Sequence, residues 1–105
     1  MICLFLLAGV VVGAIACSRL VTKYEAAFAE TENGQSLAQV TERFGSPDVR
    51  DNEANSFLRY ATGPCLVPCA YRLWWEHPIF KGIEAWSVEF NAAGVVVGKA
   101  HWVSP

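Results

Sequence analysis

The chain has 105 residues, of which 53% are hydrophobic, and its formal net charge is −2. A chain of this length holds one domain. Basic and acidic residues are interspersed, so the sequence has no basic field for nucleic acid, and we exclude that class of partner. Charged residues begin only at Arg19, since residues 1–18 carry none.

The amino-terminal stretch is apolar and ends in small residues. Residues 2–16 form an unbroken run of apolar and small side chains, and Cys17 follows directly. A hydrophobic run of this shape is typical of a secretory signal, and a cysteine after the small residue resembles a bacterial lipobox. We therefore predict a lipoprotein signal peptide at residues 1–16, and a mature domain at residues 17–105 that is attached to the membrane by a lipid on Cys17.

Two alternatives stay open for this stretch. It is an uncleaved membrane anchor, although the run is shorter than the roughly 20 residues that span a bilayer, or it is a buried helix. Ser18, where an aspartate would signal retention, resembles the sorting pattern of outer-membrane lipoproteins. The predicted location is accordingly the outer membrane of a bacterial envelope, on the side that faces the periplasm.

A first helix is predicted at residues 20–31. Its apolar face is formed by Tyr24, Ala27, Phe28 and Thr31, while charged residues lie around it. The Asn-Gly pair at residues 33–34 then breaks the helix. A second helix follows at once, so we expect a helical hairpin whose two apolar faces turn to the same partner.

The second helix is bounded by capping residues. Ser36 is a favourable N-cap, and Gln39, three residues later, completes a capping box. Leu37, Val40 and Phe44 recur with helical spacing and form one apolar stripe. The helix is predicted to end in a left-handed Gly45, and Pro47 blocks its continuation.

Strands are predicted in the second half of the chain, after a solvated loop at residues 47–55. The first is at residues 56–61, with Leu58 and Tyr60 on one face. The others are Tyr71–Glu76, Glu84–Phe90 and residues 95–103, and a turn at residues 91–94 joins the last two. Helices precede antiparallel strands, so the predicted class is α+β, with a two-helix hairpin on one face of a three- to four-stranded antiparallel sheet.

Several of these residues form a pattern that resembles the SmpA/OmlA (BamE-like) family of small outer-membrane lipoproteins. The matching residues are Gly34-x-Ser36-x-x-x-Val40-x-x-x-x-Gly45-x-Pro47, the aromatic pair Phe57 and Tyr60, and Val88-Glu89-Phe90-Asn91-x-x-Gly94-Val95. The resemblance implies two helices on a three-stranded sheet, a layout shared with β-lactamase inhibitor proteins. It also implies periplasmic exposure, a tether at Cys17, and protein contacts that serve envelope assembly. Residues 62–82 resemble an insertion that adds a strand and a cysteine pair.

The insertion contains Cys65 and Cys69, each directly after a proline, Pro64 and Pro68. In an oxidising periplasm, two cysteines so close together favour a disulfide that closes a tight loop. Free thiols, a metal site that recruits His77 and His101, and a redox-active pair are the alternatives. The spacing is not the C-x-x-C of redox proteins, and no helix start follows it that would lower a thiol pKa.

Trp74 and Trp75 are neighbours on a predicted strand and must point to opposite faces of the sheet. One of them is therefore exposed or covered by the loop at residues 78–80. An exposed tryptophan beside Phe80 would be a partner-binding surface; simple coverage by the loop is the alternative.

No arrangement typical of catalysis is visible. Glu76, Glu84 and Glu89 have no recognisable acid–base pairing, and the sequence lacks a nucleophile elbow, a phosphate loop and a zinc-protease signature. We predict a protein that is not an enzyme and needs no cofactor or metal, with the membrane and an envelope protein as partners. Its role would be that of an assembly scaffold or accessory. The alternatives are an inhibitor or binding module that uses the sheet face or the cysteine loop, and a thiol-redox protein that uses Cys65 and Cys69.

Overall fold

The computed structural model describes residues 11–60 and 63–104, with side chains from residue 16 onward. Two helices precede a four-stranded antiparallel sheet, so the predicted α+β class is confirmed. The elements are α1 (Val11–Glu30), α2 (Leu37–Phe44), β1 (Val49–Asp51), β2 (Tyr71–Glu76), β3 (Glu84–Phe90) and β4 (Val96–Val103). The strands lie side by side in the order β1-β2-β3-β4.

Helix α1 begins nine residues before the predicted start at residue 20. Residues 11–16 of the predicted signal segment are therefore its first turns, and residues 1–10 of that segment lie outside the described residues. The predicted face is otherwise confirmed, since Val21, Tyr24 and Ala27 are buried and Phe28 packs against the same core. Within the described ranges, no helix is both long enough and apolar enough to cross a bilayer.

Helix α2 has the predicted ends. The Ser36 hydroxyl accepts the N–H of Gln39 at 3.2 Å, and the Gln39 side chain accepts the N–H of Ser36 at 2.8 Å, so the capping box is confirmed. Gly45 has a positive φ of 87°, as expected, but its ψ of −167° lies outside the left-handed helical region. Its N–H still closes the helix by donating to the carbonyl of Thr41 at 2.8 Å.

The other motif residues also act in folding. Gly34 adopts a φ of 95° and donates its N–H to the carbonyl of Val96, which joins the helical hairpin to β4. Val40 is fully buried, and Pro47 lies between the end of α2 and the start of β1. The motif therefore fixes how the helices meet the sheet.

Strands β2 and β3 have the predicted bounds and faces. Leu73 and Trp75 of β2, and Trp86, Val88 and Phe90 of β3, form one core with both helices. The rings of Phe44 and Trp75 stack with centroids 4.2 Å apart, so α2 lies directly on β2. Strand β4 begins one residue later than predicted, because Val95 forms an isolated bridge with Ser36 instead.

The predicted strand at residues 56–61 is wrong. Residues 56–60 are irregular, and residue 61 lies outside the described residues. The fourth strand of the sheet is instead β1, which lies inside the segment predicted as a solvated loop. Leu58 is 70% exposed, whereas Tyr60 is buried against Trp74 and Ala85, so the expected shared face of Leu58 and Tyr60 does not exist. The segment crosses the sheet face opposite the helices and covers it.

Candidate functional site

The disulfide predicted between Cys65 and Cys69 is present, with Cα atoms 5.3 Å apart. Both cysteines are buried, at 0% and 6% exposure, but the three residues between them, Leu66, Val67 and Pro68, are exposed. Leu66 is 53% exposed and Val67 is 89% exposed. The disulfide therefore holds an apolar tip in solvent while its own sulfur atoms are covered.

The loop is fixed to the end of the sheet where β2 begins. Ala70 donates its N–H to the carbonyl of Phe90 at 2.7 Å, and the N–H of Cys69 donates to the carbonyl of Leu66 at 2.8 Å. A side-chain nitrogen of Arg72 donates to the carbonyl of Gly63 at 3.1 Å. This arrangement suits a contact surface. It does not favour thiol exchange, which needs access to a sulfur atom.

A buried ion pair lies beneath the segment that covers the far face. Asp51 at the end of β1 accepts hydrogen bonds from Nε and Nη2 of Arg72, at 3.0 and 2.7 Å. It also accepts from Nε1 of Trp74 at 3.1 Å and from the N–H of Phe57 at 2.9 Å. Burial alone would raise the pKa of Asp51, but these hydrogen bonds and the charge of Arg72 outweigh it and lower the pKa. The carboxylate is a structural anchor.

A second polar cluster lies near the other end of β2. The Tyr60 hydroxyl donates to Glu76 at 2.8 Å and accepts the N–H of Gly82 at 2.9 Å, while Arg59 pairs with the same carboxylate oxygen. Burial, and after it the neighbouring Glu76, raises the pKa of Tyr60 to about 12. The phenol therefore stays protonated and holds the covering segment to the β2–β3 hairpin.

The two histidines lie near the carboxylate of Glu84. Nδ1 of the buried His77 accepts the N–H groups of Ile79 and Phe80, at 3.1 and 3.0 Å, and so shapes the hairpin loop. Burial lowers the pKa of His77 although the charge of Glu84 opposes this. His101 contacts Glu84 at 2.8 Å. Among residues 11–60 and 63–104, no group of three or more His, Cys, Asp or Glu side chains could hold a metal ion.

The tryptophans do not form the predicted contact surface. Trp74 and Trp75 do point to opposite faces, but both are 0% exposed. Trp75 is covered by α2, and Trp74 is covered by Phe57 and Tyr60 rather than by residues 78–80. Neither indole can meet a partner in the folded chain. Phe80 is 38% exposed and packs on His77, so of the three predicted residues it alone reaches the surface.

Cys17 lies within α1 and contributes to the core between helices and sheet, at 5% exposure. Its sulfur is disulfide-bonded in this structure. A lipid on Cys17 would use the same sulfur, so lipidation and this disulfide exclude each other in one molecule. Lipidation stays a prediction.

Two features were missed from the sequence. The pairing of Asp51 with Arg72 joins residues that are 21 positions apart, and no local sequence pattern predicts it. The exposure of Ile79 and Ile83 beside Phe80 in the β2–β3 hairpin loop was also missed, and the appearance of apolar residues between two strands was the available signal. No protein-family model, curated protein or solved structure matches this chain.

Proposed function

We propose that this protein is a non-enzymatic accessory of the bacterial envelope, held at the outer membrane by its amino-terminal stretch and acting in the periplasm through protein–protein contacts. The observation that carries the proposal is the Cys65–Cys69 loop, whose exposed tip consists of Leu66 and Val67. Exposed apolar residues on a fixed loop are suited to a partner's pocket. The resemblance to SmpA/OmlA lipoproteins supports a partner in outer-membrane protein assembly.

The cysteines support an extracytoplasmic location. Cys65 and Cys69 form a disulfide, and disulfides persist in oxidising compartments such as the periplasm. The uncharged stretch at residues 1–18 supports export and attachment to the membrane. Attachment needs only that stretch or a lipid at its end. A lipid on Cys17 would leave the domain in the periplasm, whereas Arg19 and Lys23 directly after an uncleaved anchor would favour a domain in the cytoplasm.

An inhibitor or binding module is the second candidate. The same loop favours it, because Val67 at 89% exposure projects from a loop that the disulfide keeps closed. Inhibitors gain affinity when a contact loop is already ordered before binding. The two candidates use one surface and differ in the partner that the surface meets.

Site-specific photo-crosslinking in living bacteria tests both candidates. A photoreactive amino acid replaces Val67, and the matched control replaces the exposed Ala54 in a polar loop. An adduct from position 67 with a β-barrel assembly component, absent from position 54, is expected. An adduct with one periplasmic enzyme would instead support the inhibitor as the function and refute the accessory role. Equal labelling from both positions, or recovery of the chain from the cytosol, would refute the proposal.

The mode of attachment is tested by intact mass. A diacylated chain that begins at Cys17 shows lipoprotein processing, whereas a chain that retains Met1 and no lipid shows an uncleaved anchor. A chain that begins at residue 17 without a lipid and is released by osmotic shock would contradict attachment altogether.

A further inference from the structure

Four exposed apolar side chains lie at the end of the sheet where the β2–β3 hairpin turns. Ile79, Phe80, Ile83 and Val103 are 43%, 38%, 44% and 53% exposed. The backbone ties them together, because the N–H of Ile83 donates to the carbonyl of Phe80 at 3.1 Å and that of Ser104 donates to the carbonyl of Ile83 at 2.6 Å. We call these four residues the hairpin-end patch. The Cys65–Cys69 loop lies at the opposite end of β2.

Followed from its last residue back to its first, helix α1 runs toward the end of the sheet that carries the hairpin-end patch. Phe28 contacts Lys99 in the middle of β4, and Tyr24, one turn earlier, packs on Trp86 near the start of β3. The Lys23 side chain lies beside Gly45, whose carbonyl accepts a hydrogen bond from Trp75 near the end of β2. From Lys23, the helix extends back by about 18 Å at 1.5 Å per residue. Cys17 still belongs to the core, so the backbone of residues 11–16 extends past it toward the end of the sheet that carries the hairpin-end patch.

The exposed charged side chains at this end are mostly basic, because the acids Glu76 and Glu84 are buried against Arg59 and His101. Arg19 and Lys23 are exposed on α1, and Lys81 is exposed within the hairpin loop. Arg59 also reaches this end, where it pairs with a buried carboxylate. Asp48 is the exposed acid here, and its side chain accepts a backbone N–H of β2. Apolar side chains interleaved with lysine and arginine match the headgroup layer of an anionic membrane.

We propose that the hairpin-end patch is a membrane-docking surface. Its four apolar side chains enter the headgroup region of the bilayer to which the amino-terminal part of the chain is attached, and the nearby cations contact anionic lipid phosphates. The inference rests on the proposed membrane attachment but not on its chemistry, because a lipid at Cys17 and an uncleaved anchor both bring the bilayer to this end. It places the Cys65–Cys69 loop at the opposite, periplasmic end, where a partner can reach it.

Tryptophan quenching by brominated phospholipid tests this orientation on the full chain. Phe80→Trp adds an indole to the hairpin-end patch, and Leu66→Trp adds one to the exposed loop at the other end as a matched control. Both variants are reconstituted in vesicles of phosphatidylcholine and phosphatidylserine, with and without bromine on the acyl chains. Among the native tryptophans, Trp74, Trp75 and Trp86 are buried, and all four contribute the same background to both variants.

The added emission of Phe80→Trp should be largely lost in brominated vesicles, while that of Leu66→Trp should be retained. Adding Ile83→Asp to Phe80→Trp should restore emission, because a carboxylate in the patch is repelled by the anionic surface. Equal quenching at both positions, or none at position 80 in chains that float with the vesicles, would overturn the docking surface alone. Chains that do not float would overturn membrane attachment as well. If the indole at position 80 is already inaccessible to solvent without vesicles, the patch is covered by another part of the chain or by a protein, and the docking surface is refuted.

Discussion

Replacing Asp51 with asparagine removes a buried carboxylate that accepts four hydrogen bonds, two of them from Arg72. The side chains of the pair are 1% and 2% exposed, so the guanidinium would lose its charged partner where water cannot replace it. Breaking a buried ion pair on one side costs about 3–5 kcal/mol. Asparagine also turns an N–H₂ group toward donors that previously met an oxygen, which adds to the loss.

The assay is urea unfolding followed by tryptophan fluorescence and by circular dichroism. At an m value of about 1 kcal/mol/M, typical of the low end for small domains, a loss of 3 kcal/mol moves the midpoint by about 3 M. Glu53→Gln, in the exposed loop after β1, is the control and should change the free energy of unfolding by less than about 0.5 kcal/mol. The double variant Asp51→Leu/Arg72→Met removes both charges and should be more stable than Asp51→Asn.

The pH dependence has a defined sign. Because the pKa of Asp51 is lowered in the folded state, its stabilisation is fully present above the unfolded pKa of about 3.9 and is lost as the pH falls through the lower folded pKa. Asp51→Asn should flatten this part of the stability curve. A cost below about 1 kcal/mol for Asp51→Asn, or a double variant as unstable as the single one, would refute the role of the pair.

Three further perturbations test the hairpin, the cap and the loop. Burial lowers the pKa of His77, so the free energy of unfolding should fall as the pH drops through ~6.5 toward the folded pKa. The oxygen of asparagine can accept the same N–H groups, so His77→Asn should remove that pH dependence in urea titrations. An unchanged pH dependence would contradict this. Ser36→Ala should cost about 1 kcal/mol by calorimetry, and an unchanged melting temperature would argue against the cap. Cys65→Ser/Cys69→Ser should cost about 2 kcal/mol of unfolding free energy in urea, and a midpoint equal to that of the oxidised wild type would show the bridge to be dispensable.

Several elements follow from the sequence because their causes are local. Helix α2 is specified by a capping box four residues long and by an apolar stripe with helical spacing. The bounds and faces of β2 and β3 follow from alternation, which sends Trp74 and Trp75 to opposite sides of the sheet. The disulfide follows from two cysteines four positions apart, since a short loop brings their Cα atoms within bonding range.

Other features depend on contacts between residues that are distant in the chain. The three residues of β1 are too short a segment to give a strand signal, and they become a strand because Asp51 meets Arg72 and Trp74 across the sheet. Phe57, whose N–H donates to Asp51, lies over Trp74 together with Tyr60, so the predicted strand at residues 56–61 does not form and the indole of Trp74 is covered.

The candidate surfaces also depend partly on local sequence and partly on contacts between distant residues. Local sequence determined that residues 63–69 form a closed loop and that residues 77–83 join two strands. Only the tertiary structure decided which apolar side chains stay in solvent, because exposure depends on what else packs on each face. Leu66 and Val67 remain uncovered at one end of the sheet, and the hairpin-end patch remains uncovered at the other, beside the helix that leads to the uncharged amino terminus.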